Sequence, residues 1–327
     1  MASMQQIADA LGITRTHVAR ALSGRGYVRR PLKQKILRVA RQMNYRPNRS
    51  AVALATQRTM TIGLFMDLDP SYFGAFSPSF RIVLCLSDAL ERWGYSLKMM
   101  PPHATGAEGI DGAICVFKSG LRHWAKVRRP SLPAVAILRH DAGSVAEAER
   151  LELPWAAYDR RPGMSALAAL CARKGLRRVG LLSFEMPRDN PGLDEVRAAL
   201  AQHGLSLLDT DIFEIQRCPK TLIAQMVELA PRLRALDLCV LRSNQVAVPF
   251  YQAAHLVGLR IPADLSLAGY DNAYYTDWFD PPVSSLHFSI EALCARAAEV
   301  VTSAIAGEDF DRQIRIEAEF VDRGSIR

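Results

Sequence analysis

Apolar residues at helical spacing open the chain. Ser3 is followed three residues later by Gln6 and then by an apolar run, the pattern of a capping box. Ile7, Ala8 and Leu11 share one face of the helix this predicts. Gly12 ends it, because glycine takes the left-handed conformation of a tight turn without strain. Thr14 is placed to cap a second helix, Arg15–Ser23, with Val18, Ala19 and Leu22 turned inward. Ser23-Gly24-Arg25-Gly26 reads as a loop. Pro31 suits the first turn of a third helix with the apolar stripe Leu32, Ile36, Leu37, Val39, Ala40 and Met43. Two short helices joined by a glycine turn, with a third packed on them, describe an all-α helix-turn-helix head.

From Thr61 onward, short apolar runs alternate with helical patterns. Strands are expected at 61–66, 96–100, 112–117, 134–138, 178–183, 211–215, 237–241 and 265–269. Helices are expected at 79–93, 162–174, 193–203, 219–229, 245–257 and 290–305. Such alternation implies an α/β body of parallel sheets with helices on both faces, and a ligand outside the carboxyl ends of the strands. One connection breaks the pattern. Residues 101–111 hold two prolines and two glycines, whereas a parallel crossover needs a dozen or more residues, usually with a helix. No helix of two turns is expected there, and the sheet order should be disturbed or its edge left uncovered.

Charge changes the picture of the head. The first 60 residues carry twelve Lys or Arg against one acid, Asp9, a net +11 that leaves −3 of the total +8 for the remaining 267. A basic head on a mildly acidic body points to a polyanion partner for the head alone. The 327 residues, 49% apolar and 23% charged, suit two or three domains. No run of 18 apolar residues exists to span a membrane. The N-terminus lacks the basic and apolar regions of a secretory signal, so the chain is expected in the cytoplasm. The six cysteines are scattered, with no Cys-x-x-Cys, and read as reduced core thiols rather than a zinc site or disulfide framework.

No constellation for catalysis is present. There is no Gly-x-Ser-x-Gly, Walker loop or dinucleotide fingerprint, and Gly24-Arg25-Gly26 leads into no helix directly. The seven histidines never pair at metal spacing. Asp67 and Asp69 fit strand-end solvation or ligand hydrogen bonding better than a metal. His140-Asp141 reads as an exposed loop pair. Neither enzyme activity, cofactor nor metal is expected.

After the third helix, Tyr45, Pro47, Asn48, Ala51 and Leu54 match the Tyr-x-Pro-Asn-x-x-Ala-x-x-Leu run of the lactose-repressor (LacI) family of bacterial transcription regulators. The stretch 258–272, Gly-Leu-Arg-Ile-Pro-Ala-Asp-Leu-Ser-Leu-Ala-Gly-Tyr-Asp-Asn, is similar to its most recognisable core segment, and Pro281-Pro282 follows at the expected distance. The resemblance covers essentially the whole chain. It implies a head at 1–47, a hinge helix and linker at 48–59, and a two-lobe core resembling periplasmic binding proteins at 60–327. The lobes would be 60–158 and 159–286, with crossing segments in 287–327. Chain crossings are expected near Tyr158-Asp159, Leu286 and Phe310.

The resemblance also implies roles. The second helix would enter the major groove, with Arg15, Thr16 and Arg20 on base edges. Thr14, His17, Ser23, Tyr27, Arg29 and Tyr45 would hold phosphates, although packing on the third helix is an equal reading for Tyr45. Asn48, Ala51 and Leu54 belong to the hinge helix, too short to persist alone. Leu54 would wedge a minor-groove step, or pack at an interface with Ala51. Two hinges imply a homodimer on a near-palindromic double-stranded DNA operator. No C-terminal heptad follows, so no tetramerising coiled coil is expected. A small polar effector, a sugar or sugar derivative, would meet Tyr72, Phe73, Arg188, Asn244 and Asp271, with Arg139 and Trp278 as lesser candidates.

The chain departs from the family in places. Arg29-Arg30-Pro31 stands where a capping Ser or Thr is usual, Gln245 stands for an Asp, and Gly192 for the effector arginine. A regulator without small-molecule response therefore stays open beside the effector-responsive one, as does a two-lobe sugar-binding protein without a regulatory role.

Overall fold

The computed structural model describes residues 3–23, 28–43, 58–67, 78–139, 141–184, 191–270 and 274–327. They divide into two compact units, Met1–Met60 and Thr61–Arg327.

The smaller unit holds α1 (Met4–Leu11), α2 (Arg15–Ser23) and α3 (Arg30–Gln42). The capping box closes: the Ser3 N–H donates to Gln6 Oε1 at 2.8 Å and the Gln6 N–H to Ser3 Oγ at 3.2 Å. Gly12 turns left-handed at φ 62°. Ile7, Ala8, Val18, Ala21, Ile36 and Ala40 form the core. Val18 and Ala21, three apart, are buried on α2, while Ala19 is half-buried and the side chain of Leu22 lies outside the described residues. Ala21, not among the residues expected to turn inward, joins that core, where closely packed helices favour a small side chain.

The larger unit runs β1 (Thr61–Phe65), α4 (Pro78–Arg92), β2 (Ser96–Met99), β3 (Gly112–Val116), α5 (Phe117–Val127), β4 (Ala134–Arg139), α6 (Ala142–Arg150), β5 (Trp155–Asp159) and α7 (Arg161–Arg173). It continues with β6 (Val179–Phe184), α8 (Pro191–Ala201), β7 (Ile212–Ile215), α9 (Leu222–Leu233), β8 (Leu238–Leu241), α10 (Ala247–Leu256), β9 (Ser266–Gly269), β10 (Ser284–His287), α11 (Ile290–Ala306), β11 (Gln313–Glu317) and β12 (Glu319–Val321). Two six-stranded sheets result, ordered β11-β5-β4-β3-β1-β2 and β12-β10-β9-β8-β6-β7. All pairs are parallel except β10 with β12. Strands such as β3 and β5 are buried along their whole length, as parallel sheets covered on both faces require. The chain passes between the sheets after β5, after β10 and at Ala318, whose N–H donates to Asp159 O at 2.8 Å.

Several expectations are corrected. β5, β10, β11 and β12 add strands, and α5 and α6 add helices. The run expected at 112–117 stops at Val116, because Phe117 turns left-handed at φ 57° and starts α5. Asp141 is no exposed loop residue but the N-cap of α6. Its Oδ1 accepts the Ser144 N–H at 2.9 Å and its Oδ2 the Ser144 hydroxyl at 2.8 Å. His140 lies outside the described residues.

Residues 100–111 form no helix, yet the order of the first sheet is undisturbed. The segment is a strap laid over β1. The Met100 N–H donates to Leu64 O at 3.0 Å and the Asp111 N–H to Thr61 O at 2.8 Å. Met100, Ala107 and Ile110 join the core of Phe65, Leu121 and Trp124. Gly63 makes room for them, since a Cβ there would lie 2.7 Å from Ile110 Cδ1 and 3.2 Å from Met100 Cγ. At the sheet edge, β2 leaves Lys98 and Met99 exposed.

Candidate nucleic-acid interface and ligand cleft

Burial of Val18 and Ala21 decides what α2 shows to solvent. Thr14, Arg15, Thr16, His17 and Arg20 are all exposed. They occupy the first turns of one helix face, where free backbone N–H groups and the helix dipole favour an anion. The Thr14 hydroxyl lies 2.8 Å from His17 Nδ1, so the two side chains fix each other. Arg29 is exposed beside them in sequence, its carbonyl accepting the Lys33 N–H at 3.0 Å at the start of α3. The unit's one acid, Asp9, accepts from Gln5 Nε2 at 2.8 Å. The side chain of Ser23 and residues Tyr27, Tyr45, Asn48, Ala51 and Leu54 lie outside the described residues.

In the larger unit the carboxyl ends of β5, β9 and β10 meet beside the crossing segments. Arg160, just after β5, donates from Nε to the carbonyl of Tyr270, just after β9, at 3.2 Å. Its guanidinium lies over three rings: Tyr158 at 4.5 Å, Tyr270 at 4.7 Å and Phe288 at 5.8 Å. Tyr158 and Phe288 stack at 4.3 Å, which ties the end of β5 to the strand leaving the second sheet. Arg139, at the end of β4, donates from Nε to the Tyr158 hydroxyl at 3.1 Å and lies 5.4 Å from the Phe117 ring. A bulky aromatic held in the left-handed region is costly, and Phe117 keeps that conformation where its ring meets Arg139.

The acids of this region are engaged. Asp159, buried, accepts the Arg161 N–H at 3.0 Å and Arg161 Nε at 2.9 Å, with Nη2 completing the pair. Hydrogen bonding to Asp159 raises the Arg161 pKa in turn. Glu195, on α8 of the second lobe, is pushed up by burial; Arg161 pulls it back, and Asp159 and Asp141 add to the rise. Asp141 belongs to the first lobe, so α8 faces the rim of the opposite sheet.

Across the cleft, Arg217 lies 4.1 Å above the ring of Phe184, the last residue of β6, and reaches Gln245 Oε1 at 3.4 Å. Of the residues expected around a ligand, Asn244 starts the turn after β8, its side chain not described, and Trp278 is 70% exposed. Tyr72, Phe73, Arg188 and Asp271 lie outside the described residues. Arg160 and its rings were missed from sequence; the hint was Tyr158 and Tyr270, each closing an apolar run at a strand end. Among the described residues no three His, Cys, Asp or Glu gather as a metal would need, and no described helix is long and apolar enough to cross a membrane.

Comparison with known proteins accounts for both halves. The family model for bacterial regulatory proteins of the lacI family matches residues 3–48, and that for the periplasmic binding protein-like domain matches 168–326. The chain belongs to the LacI family. The ribose operon repressor of Lactococcus lactis subsp. lactis (strain IL1403) is 21% identical, over 100% of this chain and 98% of its own. The regulator AglR of Rhizobium meliloti (strain 1021) is 25% identical, over 99% and 94%. The fold is similar to the CelR–cellobiose complex (TM-score 0.66, 20% identity, 99% and 100% covered). It is also similar to the lac repressor dimer bound to operator and the anti-inducer ONPF (0.62, 16%, 99% and 98%). This LacI-family chain is a DNA-binding transcription regulator with a periplasmic binding protein-like body, and not an enzyme.

Proposed function

We propose that the protein is a homodimeric repressor in the bacterial cytoplasm, bound to a near-palindromic operator and modulated by a small polar ligand, a sugar or sugar derivative, between its lobes. The exposed row Thr14, Arg15, Thr16, His17 and Arg20 over the buried Val18 and Ala21 carries the reading. Arg15 can bond guanine O6 and N7 together, worth roughly 1–3 kcal/mol against the wrong base. Thr16 meets a thymine methyl, and Arg20 extends the reading one turn on. Thr14, His17, Ser23, Tyr27, Arg29 and Tyr45 hold phosphates, while Asn48, Ala51 and Leu54 form a hinge that orders on DNA. Exposed Leu84 on α4, Trp93 just after it, Met99 on β2 and Leu256 on α10 support a second copy as partner, being large apolar groups left in water.

In the cleft, Tyr72 and Phe73 would cover the C–H face of a ring, and Asp271, Asn244 and Arg188 would take its polar groups. A ligand that binds one arrangement of the lobes better shifts the population toward it, and operator affinity follows. Gly192 in place of the family's arginine supports the ligand-independent alternative.

The test is operator binding by the full chain. With about six to ten phosphate contacts, affinity should fall by several decades between low and moderate salt. Removing residues 1–57 should abolish binding and leave a folded dimer. A truncated body that still binds operator would overturn the reading.

A further inference from the structure

We infer that the body carries a DNA-backbone site of its own: a row of cations along α5 and the turn after it, Arg122, Lys126 and Arg128, that takes phosphates of the duplex flanking the operator. The inference rests on the operator-binding reading and extends it from the head to the first lobe.

The charge of the body is unevenly placed. Beyond the head the chain is net −3, yet residues 112–140 hold six Lys or Arg and no acid. Helical spacing turns part of that charge into a row. Lys118, Arg122 and Lys126 stand four apart on α5, each step rising about 6 Å, on the side opposite the buried Leu121, Trp124 and Val127. All three are exposed, as are Arg128 and Arg129 just past the helix.

The middle of the row has no counter-charge. Arg122, Lys126 and Arg128 have no acidic partner among the described residues, and Arg122 Nε reaches only a carbonyl, Lys118 O at 3.4 Å. At the margins the charges are engaged. Arg129 pairs with Glu108 on the strap, Lys118 lies 3.9 Å from Asp141, and Arg150 on α6 takes Glu147 at 3.8 Å. Like charges four apart on a helix cost stability, so the fold gains nothing from this row.

Its place fits DNA. α5 runs back from the carboxyl end of β3, so its last turn and Arg128 lie at the amino edge of the first sheet. Thr61 and Pro133 stand at that edge, accepting the Asp111 N–H at 2.8 Å and the Ala113 N–H at 2.9 Å. The chain therefore enters the body from the head at the edge where the row ends. Only 17 residues, 44–60, join Met43 to Thr61, a reach of about 60 Å at most. DNA held by the head is thus tethered to the body, and at the resulting effective concentration a few weak contacts count. A cation on a phosphate reads no sequence, so an exposed row suffices and no pocket is needed. Three cations are too few to hold DNA at moderate salt without the head, and a body lacking residues 1–57 still binds none.

The experiment titrates the full-length protein with two duplexes carrying the motif selected from a randomised pool. One is trimmed to about 20 base pairs; the other has about 60, so that its flanks outreach the tether at about 3.4 Å per pair. On the long duplex, Lys126→Gln with Arg128→Gln should lower the slope of log K against log salt by about 2 or more. Its deficit to wild type should then narrow about tenfold between about 50 and 200 mM salt. On the trimmed duplex the two proteins should agree within about twofold. A charge-matched control, Arg173→Gln with Lys220→Gln, both exposed on the second lobe, should leave the slope unchanged. Arg122→Gln alone should lower it by about 1, and decides if the double variant does not fold. A slope that no row variant changes, the result expected if the row serves an acidic protein, overturns the inference and leaves the operator reading standing. So does a control that lowers the slope as much, or an equal loss on both duplexes. Binding of neither duplex by the wild type overturns the inference and the operator reading together.

Discussion

The two lobes of the body repeat one design with different parts. In the first, the central strands run β2-β1-β3-β4-β5, and in the second β7-β6-β8-β9-β10. A glycine sits at the same place in each leading strand: Gly63 pairs with Ala113 in the next strand, and Gly180 with Cys239. In each, an apolar residue two positions before that next strand lies over the glycine, Ile110 in one lobe and Leu236 in the other. The difference is the crossover. The second lobe uses the helix α9, whereas the first uses the bare strap 100–111. Sheet order is thus fixed by strand pairing and by the side chain locked over the glycine, and a crossover helix is one of several ways to cover that face.

Three substitutions break or sharpen the comparison. Gly180→Ala should cost the most, about 2–3 kcal/mol, because a Cβ there meets Leu236 Cδ1 at 2.3 Å with Phe213 and the Asp211 carbonyl close behind. Gly63→Ala should cost less, about 1–2 kcal/mol, since the strap can shift and the contact is longer at 2.7 Å. Urea denaturation of both variants checks the order, and equal costs would mean that the strap is as rigid as the helical crossover. Ile110→Ala should then cost about 2 kcal/mol, the value for a core side chain. A loss under about 0.5 kcal/mol, the scale of a surface change, would show that the strap covers nothing.

The charged locks of the second lobe give smaller, pH-dependent effects. Burial pushes the Asp237 carboxyl up, but the N–H groups of Arg178 and Arg177, both 2.9 Å away, and Arg327 outweigh it, so its pKa lies below the usual range. The folded form therefore prefers the carboxylate. That stability is present above the unfolded carboxyl pKa and is lost as pH falls through the folded one. Asp237→Asn should cost about 1–2 kcal/mol at neutral pH, and the gap to wild type should close in acid. Glu195 has the opposite sign. Its raised pKa gives stability present below the unfolded value and lost as pH rises through the folded one. Glu195→Gln should raise the melting temperature by about one or two degrees at pH 8 and leave it unchanged at pH 4. A rise at both values would assign the effect to packing.

What the sequence shows and what it hides divide along the range of the interactions. The head is legible because its signals are local: Ser3 and Gln6 are three apart, and Gly12 follows directly. Eight strands of the body are legible as apolar runs. β10 is not, because Ser284-Ser285-Leu286-His287 looks polar. Its buried serines are satisfied from far along the chain, the Ser284 N–H by Ser325 Oγ at 2.8 Å and the Ser284 hydroxyl by Asp322 at 2.9 Å. β11 did carry a signal, the alternation Gln-Ile-Arg-Ile-Glu, but its single parallel partner, β5, lies 158 residues earlier, Gln313 pairing with Trp155. The same holds for the cleft. The rings around Arg160 come from positions 158, 270 and 288, which no local pattern unites. The missing helix at 101–111 was legible, but its consequence was not, since Gly63 and Ile110 meet only in the folded lobe.

The central claim is that the exposed face of α2 reads DNA sequence. It is tested most directly by selecting duplexes from a randomised pool with the full chain and with Arg15→Ala. The account predicts a near-palindromic motif for the wild type, and for the variant the same motif with preference lost at one symmetric base position. No enriched motif with the wild type, or an identical motif with both proteins, would contradict it.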